Sequence, residues 1–269
     1  MPELPEVETT LRGIRPHVQG RILTSVTVRE PRLRWPVSEA LYALHDCPVV
    51  ALRRRAKYLL IELEHGQVLI HLGMSGTLRV VDATLPLRKH DHVDLLLDSG
   101  KALRFNDPRR FGTVLFQAGE EPHSLLQSLG PEPLSEAFNG EGMFARSRGR
   151  KVAVKSFIMD NATVVGVGNI YAQESLFIAG IHPSRAAGRI SRERYKRLAD
   201  AIRVVLARAI EAGGTTLKDF TSADGQPGYF AQSLNVYGRA GQPCPQCEAL
   251  LKADRHGQRS TSYCPQCQR

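Results

Sequence analysis

Three groups of residues in this 269-residue chain have the types and spacing to do chemistry. The first is the opening, MPELPE. Removal of Met1 would leave Pro2 with a free secondary amine, whose pKa lies nearer the α-amino value of roughly 8 than the lysine value of about 10. Much of such an amine is neutral at neutral pH, and it attacks electrophilic carbon to give a Schiff base at a sugar C1′ or a carbonyl. Glu3 then stands beside it as proton donor or acceptor. Read alone, Pro-Glu also suits the first turn of a helix. The second group is Cys244, Cys247, Cys264 and Cys267, spaced C-x2-C-x16-C-x2-C. In a reducing compartment that spacing reads as one structural zinc ion held by four thiolates rather than as two disulfides. Four sulfurs close the coordination sphere and leave no position for a catalytic water. The ribbon cannot bury a core without its metal, so what it presents is the segment between its knuckles, with Lys252, Arg255, His256 and Arg259. Arg259 there is either a phosphate ligand or a solvated ribbon residue.

The third group sits on turns. DPRRFG carries Arg109 and Phe111, and HLGMSG carries Met74. Apolar side chains on turns beside arginine suit wedges pushed between bases, with satellite packing as the plainer reading. Lys57 follows three arginines at the mouth of a strand, where a lysine is ordinarily a surface charge. KHDHVD places His90 and His92 on one strand face, a phosphate-binding or structural pair rather than a metal site. VVGVGNIYA is not a dinucleotide fingerprint, because Tyr171 fills the third glycine position and no strand-helix-strand unit surrounds it. Its glycines instead let the backbone turn tightly, so that a helix N-terminus and the Asn169 side chain can face a phosphate.

Those residues need elements to hold them. Val7, Leu11, Ile14 and Val18 recur at helical spacing, predicting a helix from about Glu6 that Pro16 kinks or ends and Gly20 closes. From Arg21 to about Phe116 the chain reads as eight short strands with tight turns, an antiparallel sandwich or barrel. GPEPLSEAFNG reads as a linker. Helices follow over residues 151–160, 170–179 and 192–212, then the polar, Gly-rich GGTTLKDFTSADGQPGYF and the cysteine module.

The formal charge of +9 is lopsided: residues 1–140 hold 17 Lys+Arg against 17 Asp+Glu, and residues 141–269 hold 19 against 10. A basic half of that kind suits a polyanion, nucleic acid before a membrane surface. No apolar run approaches the roughly 20 residues that span a bilayer, and the N-terminus lacks the basic start of a signal peptide, so the expectation is a cytoplasmic protein.

MPELPEVET, RRAKYLL, HLGMSG, KHDHVD, DPRRFG, MDN, VVGVGNIYA, GGTTLKDF, DGQPGYF, VYGR and the zinc module together resemble one family across essentially the whole chain, the bacterial formamidopyrimidine-DNA glycosylases. The resemblance implies an α+β protein of two domains: an N-terminal antiparallel β-sandwich flanked by helices over 1–130, and, beyond a linker at 131–140, a helix-two-turn-helix domain over 141–232. A β-hairpin zinc finger over 233–269 completes it. It implies a monomer that excises oxidised purines, 8-oxoguanine and formamidopyrimidines, from damaged double-stranded DNA and cleaves the abasic site by β,δ-elimination, associated with the bacterial nucleoid and not with a membrane. Carried over residue by residue, Pro2 resembles the nucleophile, Glu3 its acid/base partner, Lys57 the proton donor for β-elimination, and Arg259 its counterpart in δ-elimination. Met74, Arg109 and Phe111 match the residues that fill the gap left by the flipped nucleotide. His90, Asn169 and Arg150 match DNA contacts, with arginine at the last position where lysine is familiar. Glu6, Thr215, Lys218 and Tyr229 match the lesion pocket, whose capping loop runs over about 213–230. The sister family acting on oxidised pyrimidines typically opens PEGPEI, so PELPEV and GGTTLKDF favour the purine enzyme; a non-catalytic zinc-ribbon DNA binder is the alternative from another class.

Overall fold

The structure, a computed structural model, describes residues 2–215, 233–256 and 258–269. It falls into two compact units, Met1–Gln127 with Ala212–Ala231, and Ser128–Glu211 with Gln232–Arg269.

In the first unit, helix α1 spans Leu4–Val18. It starts where Glu3 and Glu6 form a capping box, each carboxylate accepting the other's backbone N–H. Val7, Leu11, Ile14 and Val18 form its buried face. Pro16, expected to kink or end the helix, does not end it: α1 continues to Val18, and Gly20 with φ of 75° follows it. Pro16 removes one i→i−4 bond, to the Arg12 carbonyl, and the burial of Val18 with the Gln19 N–H to Arg15 carbonyl bond holds the last turn helical.

Strands β1 (Ile22–Val28), β2 (Cys47–Arg55), β3 (Tyr58–Leu63), β4 (Gly66–His71), β5 (Thr77–Asp82), β6 (Asp91–Leu97), β7 (Lys101–Asn106) and β8 (Thr113–Ala118) match the eight apolar runs of the sequence. A short helix α2, Glu39–Tyr42, falls between β1 and β2, and α3, Ser124–Gln127, follows β8. The strands run in the order β5-β7-β6-β1-β2-β3-β4-β8. β1 and β2 meet only at Ile22↔Pro48 and Leu23↔Cys47. The result is two four-stranded antiparallel layers sharing one core, which draws Leu23, Leu95 and Phe105 from one layer, Leu59, Ile70 and Val114 from the other, and the apolar face of α1.

In the second unit, α4 (Gly140–Ser147), α5 (Val154–Ile158), α6 (Asn169–Ile178) and α7 (Arg192–Glu211) precede a hairpin of β9 (Lys252–His256) and β10 (Arg259–Tyr263). α4 begins at the end of the segment expected to be linker: the Asn139 side chain accepts the Gly142 N–H at 2.8 Å and caps it, while Phe138 and Met143 are buried. α5 is shorter than expected from the sequence. Ala153 bridges Ala186 and the Val152 carbonyl accepts the Ala187 N–H, so the chain enters extended; the Asp160 carboxylate accepts the Ala162 N–H and turns it away. No helix among the described residues is long and apolar enough to cross a membrane.

Candidate functional site

At the start of α1, Pro2 is buried and Glu3 and Glu6 are each 1% exposed. Carboxylates so far from water must be hydrogen-bonded. Glu6 meets that need with two backbone groups: Oε2 accepts the Glu3 N–H at 2.8 Å and Oε1 accepts the Thr215 N–H at 2.8 Å. The same carboxylate thus holds the helix N-terminus and the segment reaching Thr215. Gly214 is required in that approach, because its φ is +81° and a Cβ there would lie 3.2 Å from Glu6 Oε1. Of the predicted lesion-pocket residues, Glu6 and Thr215 are therefore together, while Lys218, Tyr229 and most of the predicted capping loop lie outside the described residues.

Lys57 sits in the two-residue turn between β2 and β3, after Ala56 in a left-handed conformation with φ of 53°. A non-glycine residue there is held by its surroundings. Arg54 supplies part of the hold, donating from Nη1 to the Ala56 carbonyl at 2.9 Å and from Nε to Glu8 Oε2 at 2.9 Å. Since Glu8 lies on α1, this chain of bonds ties the lysine turn to the helix that Pro2 and Glu3 open. His71 belongs to the same corner: it pairs with Tyr58 across β3 and β4, with ring centroids 4.9 Å apart, and its Nδ1 accepts the Gly73 N–H at 3.0 Å. Burial, then the charges of Lys57 and Arg34, pulls its pKa down to about 4, so it is a neutral imidazole at pH 7.

Met74 and Phe111 are exposed, and Arg109 Cζ stands 4.8 Å from the Phe111 ring centroid. Their two turns touch through backbone. A Cβ on Gly73, at φ of +64°, would come within 2.5 Å of Gly112 N and the Phe111 carbonyl carbon. Asp107, wholly buried, fixes the pair by accepting from Ser75 Oγ at 3.0 Å, from the Arg109 N–H at 3.3 Å and from the Gly112 N–H at 2.7 Å. Its own carbonyl meets His92 Nε2 at 2.8 Å. The expected histidine pair on one strand face is corrected: His90 precedes β6 with φ of 73°, and a register shift between Asp91 and Val93 separates the rings, which meet edge-on at 5.9 Å. Asp91 is taken up by Arg79, Asn106 and the Arg88 N–H, which forces that irregularity.

In the second unit, Asn169 is the first residue of α6, and its Nδ2 donates to the Ser260 carbonyl at 3.2 Å, next to Arg259 at the start of β10. Arg150 lines, with Arg146, Ser156, Asp160 and Thr163, a cavity of about 440 Å³. The four cysteine sulfurs lie within 4.8 Å of one another. A tetrahedron with bonds of about 2.3 Å separates its sulfurs by about 3.8 Å, and the pairs Cys244–Cys267 and Cys247–Cys264 stand at 3.9 and 3.5 Å. Burial and the three neighbouring sulfurs push the Cys267 thiol up, so four thiolates at this spacing call for a cation. The donor set fits one zinc ion, held by these four residues as a structural centre.

The sequence reading passed over several residues with conspicuous roles. Glu174, 1% exposed, accepts four N–H groups: Asn235 N and Nδ2, Val236 N and Tyr237 N, each at 2.9 Å. Gln173 and Lys155 are equally buried. A signal existed in NIYAQESLFI, where three consecutive polar residues interrupt an otherwise apolar helix. For Asp107 the hub is closed by Ser75 and His92, 32 and 15 residues away, and for His71 the partner ring is that of Tyr58 on the neighbouring strand, so the local sequence carries no signal.

Known proteins with the same arrangement are numerous. Residues 1–114 match the formamidopyrimidine-DNA glycosylase N-terminal domain, 129–221 the formamidopyrimidine-DNA glycosylase H2TH domain, and 241–269 a zinc finger found in FPG and IleRS. The formamidopyrimidine-DNA glycosylase of Alcanivorax borkumensis is 88% identical over 269 residues, covering 100% of both chains, and that of Edwardsiella ictaluri is 58% identical over the same span. Among solved structures, MutM (Fpg) from Thermus thermophilus superposes with a TM-score of 0.89 at 40% identity, covering 99% of this chain and 98% of that one. Lactococcus lactis Fpg in complex with DNA containing an abasic site gives 0.92 at 31% identity, covering 99% of each.

Proposed function

This chain belongs to the formamidopyrimidine-DNA glycosylase family, and from that membership we propose that it removes 8-oxoguanine and formamidopyrimidines from duplex DNA through a Schiff base on Pro2. The enzyme is a base-excision DNA glycosylase and abasic-site lyase with damaged DNA as its partner and one structural zinc. The observation that carries the finer reading is the buried Pro2–Glu3 corner of α1, tied through Glu8 and Arg54 to the turn that bears Lys57.

A base inside a duplex is out of reach, so it is flipped out at a cost of a few kcal/mol, which side chains filling the gap offset. Met74, Arg109 and Phe111, on two turns clamped by Asp107, have the exposure and rigidity for that task. With Met1 removed, the Pro2 nitrogen attacks C1′; the N-glycosidic electron pair leaves with the base, and Glu3 moves the proton that sugar opening requires. The resulting iminium acidifies C2′. Loss of a C2′ proton expels the 3′ phosphate with the C3′–O electron pair, and Lys57 delivers a proton in this β-elimination. Loss of a C4′ proton to solvent then expels the 5′ phosphate with the C5′–O pair, with Arg259 bound to the departing phosphate. His90, Asn169 and Arg150 contact the backbone, and Glu6 and Thr215 line the pocket with Lys218 and Tyr229. The catalytic part is residues 1–130, the DNA-binding parts 141–232 and 233–269, and the protein acts as a cytoplasmic, nucleoid-associated monomer.

The test is borohydride reduction during reaction with a duplex carrying one 8-oxoguanine opposite cytosine, alongside Pro2→Gly. A covalent adduct in the wild type and none in the variant supports the reading. Adducts formed only on oxidised pyrimidines would assign the sister activity, and no adduct with tight binding would leave a lesion binder.

A further inference from the structure

Arg259 has a positional problem. It opens β10 at the far end of a two-stranded hairpin whose residues are mostly exposed, and such a ribbon is marginal alone. The zinc-binding Cys264 lies five residues further along, and at about 3.3 Å per residue that is about 16 Å away. A metal at the base of the hairpin cannot by itself fix the reach of its tip.

The second unit holds a device that does. Gln173, on α6 and 2% exposed, accepts the Ser262 N–H on Oε1 at 2.6 Å and donates from Nε2 to the Ser260 carbonyl at 3.1 Å and to the Asn169 carbonyl at 2.9 Å. In a strand the C=O of one residue and the N–H of the residue two further on face the same edge. Among the described residues β9 is the only strand paired with β10, so these groups lie on the edge turned away from it. The carboxamide therefore fills the place of a neighbouring strand, satisfying the donor and the acceptor that such an edge leaves open. Two further donors converge on the same carbonyl, Asn169 Nδ2 at 3.2 Å and Lys155 Nζ at 3.4 Å, while Lys155 Nζ also donates to the buried Thr261 hydroxyl at 2.6 Å. Ser260, next to Arg259, is thus tethered to α5 and α6 through three side chains.

We propose that Gln173 is a positioning residue for Arg259: by clamping Ser260 and Ser262 it sets the register of the hairpin against α6, and so fixes Arg259 relative to Asn169 on one rigid frame. The proposal rests on the role given to Arg259 above, binding the 5′ phosphate as it leaves with the C5′–O pair while the C4′ proton passes to solvent. A displacement of order 1 Å at such a group costs up to a hundredfold in the step it serves. Pro2 and Lys57 chemistry does not depend on the clamp.

The experiment uses the full-length zinc protein and two variants. Gln173→Leu removes every bond of the carboxamide, and Gln173→Glu keeps the acceptor for Ser262 but sets a carboxylate oxygen against the Ser260 carbonyl. On an 8-oxoguanine duplex, gels separate the 3′ unsaturated aldehyde left by β-elimination from the 3′ phosphate left by β,δ-elimination. The expected result is a fall of about tenfold in the ratio of 3′ phosphate to aldehyde in both variants, with borohydride trapping within about twofold of wild type and one zinc per chain. An unchanged ratio overturns the proposal. So does a fall of trapping and δ-product by the same factor, or loss of zinc from both variants, either of which makes Gln173 a fold support only. A wild type that traps but yields no 3′ phosphate removes the role of Arg259 itself, and the proposal with it.

Discussion

The corner around Pro2 and the hairpin around Arg259 are held in opposite ways. The first rests on a large apolar core, with the face of α1 packed against both sheet layers, and only its last few ångströms are set by polar pins: Glu6 to Glu3 and Thr215, Arg54 to Glu8 and Ala56. The second rests on a small cluster of Phe177, Val236, Leu251 and the cysteines themselves, and its position is set almost wholly by a metal and by buried polar side chains. Covalent chemistry needs a fixed frame at sub-ångström precision, which a well-packed core supplies. The phosphate contact proposed for Arg259 needs reach, which a thin ribbon would supply once metal and carboxamide stiffen it.

The largest effect should come from the metal. Cys244→Ser is expected to unfold the ribbon, because structural zinc contributes on the order of 10 kcal/mol to such modules. DNA affinity in a gel-shift titration should collapse, while thermal unfolding of the sandwich unit stays in place; unchanged affinity in zinc-free protein would erase the contrast. Next, Asp107→Ala strands the donors of Ser75, Arg109 and Gly112 in a buried site, at about 3 kcal/mol or more. Thermal melts should show the first unit destabilised and the zinc content intact. Equal loss of zinc would mean that the two regions are not independent.

Arg109→Ala should weaken DNA binding and lower the slope of log affinity against log salt by about one. An unaltered slope would take Arg109 off the DNA. The smallest effect concerns His71. Its folded pKa, about 4, lies below the ordinary 6.5, so its contribution to stability is complete above pH 6.5 and is lost as pH falls toward 4. In His71→Gln the decline of urea midpoint over that window should be shallower than in the parent; identical curves would show that the imidazole is not held neutral.

How much of this was legible in the sequence follows the same division. All eight strands of the sandwich were visible as apolar runs, since a core that large imposes its period on the chain. The cysteine quartet was visible because metal spacing is local. What escaped were features closed by partners far along the chain: the Asp107 hub with Ser75 32 residues away, the Glu174 cage around residues 235–237, and the Gln173 clamp 87 and 89 residues from Ser260 and Ser262. α4 escaped for another reason. Gly140 read as the end of the linker, yet it is needed where the backbone passes Lys196, to whose Cα a Cβ would come within 2.5 Å.

The central claim is that the Pro2 nitrogen is the reacting atom. Its most direct test is peptide mapping by mass spectrometry of the borohydride-reduced adduct on an 8-oxoguanine duplex. The account predicts a mature chain beginning at Pro2, with the sugar remnant on the N-terminal nitrogen and on no other residue. A remnant on Lys57, or an adduct formed by a chain that still carries Met1, would contradict it.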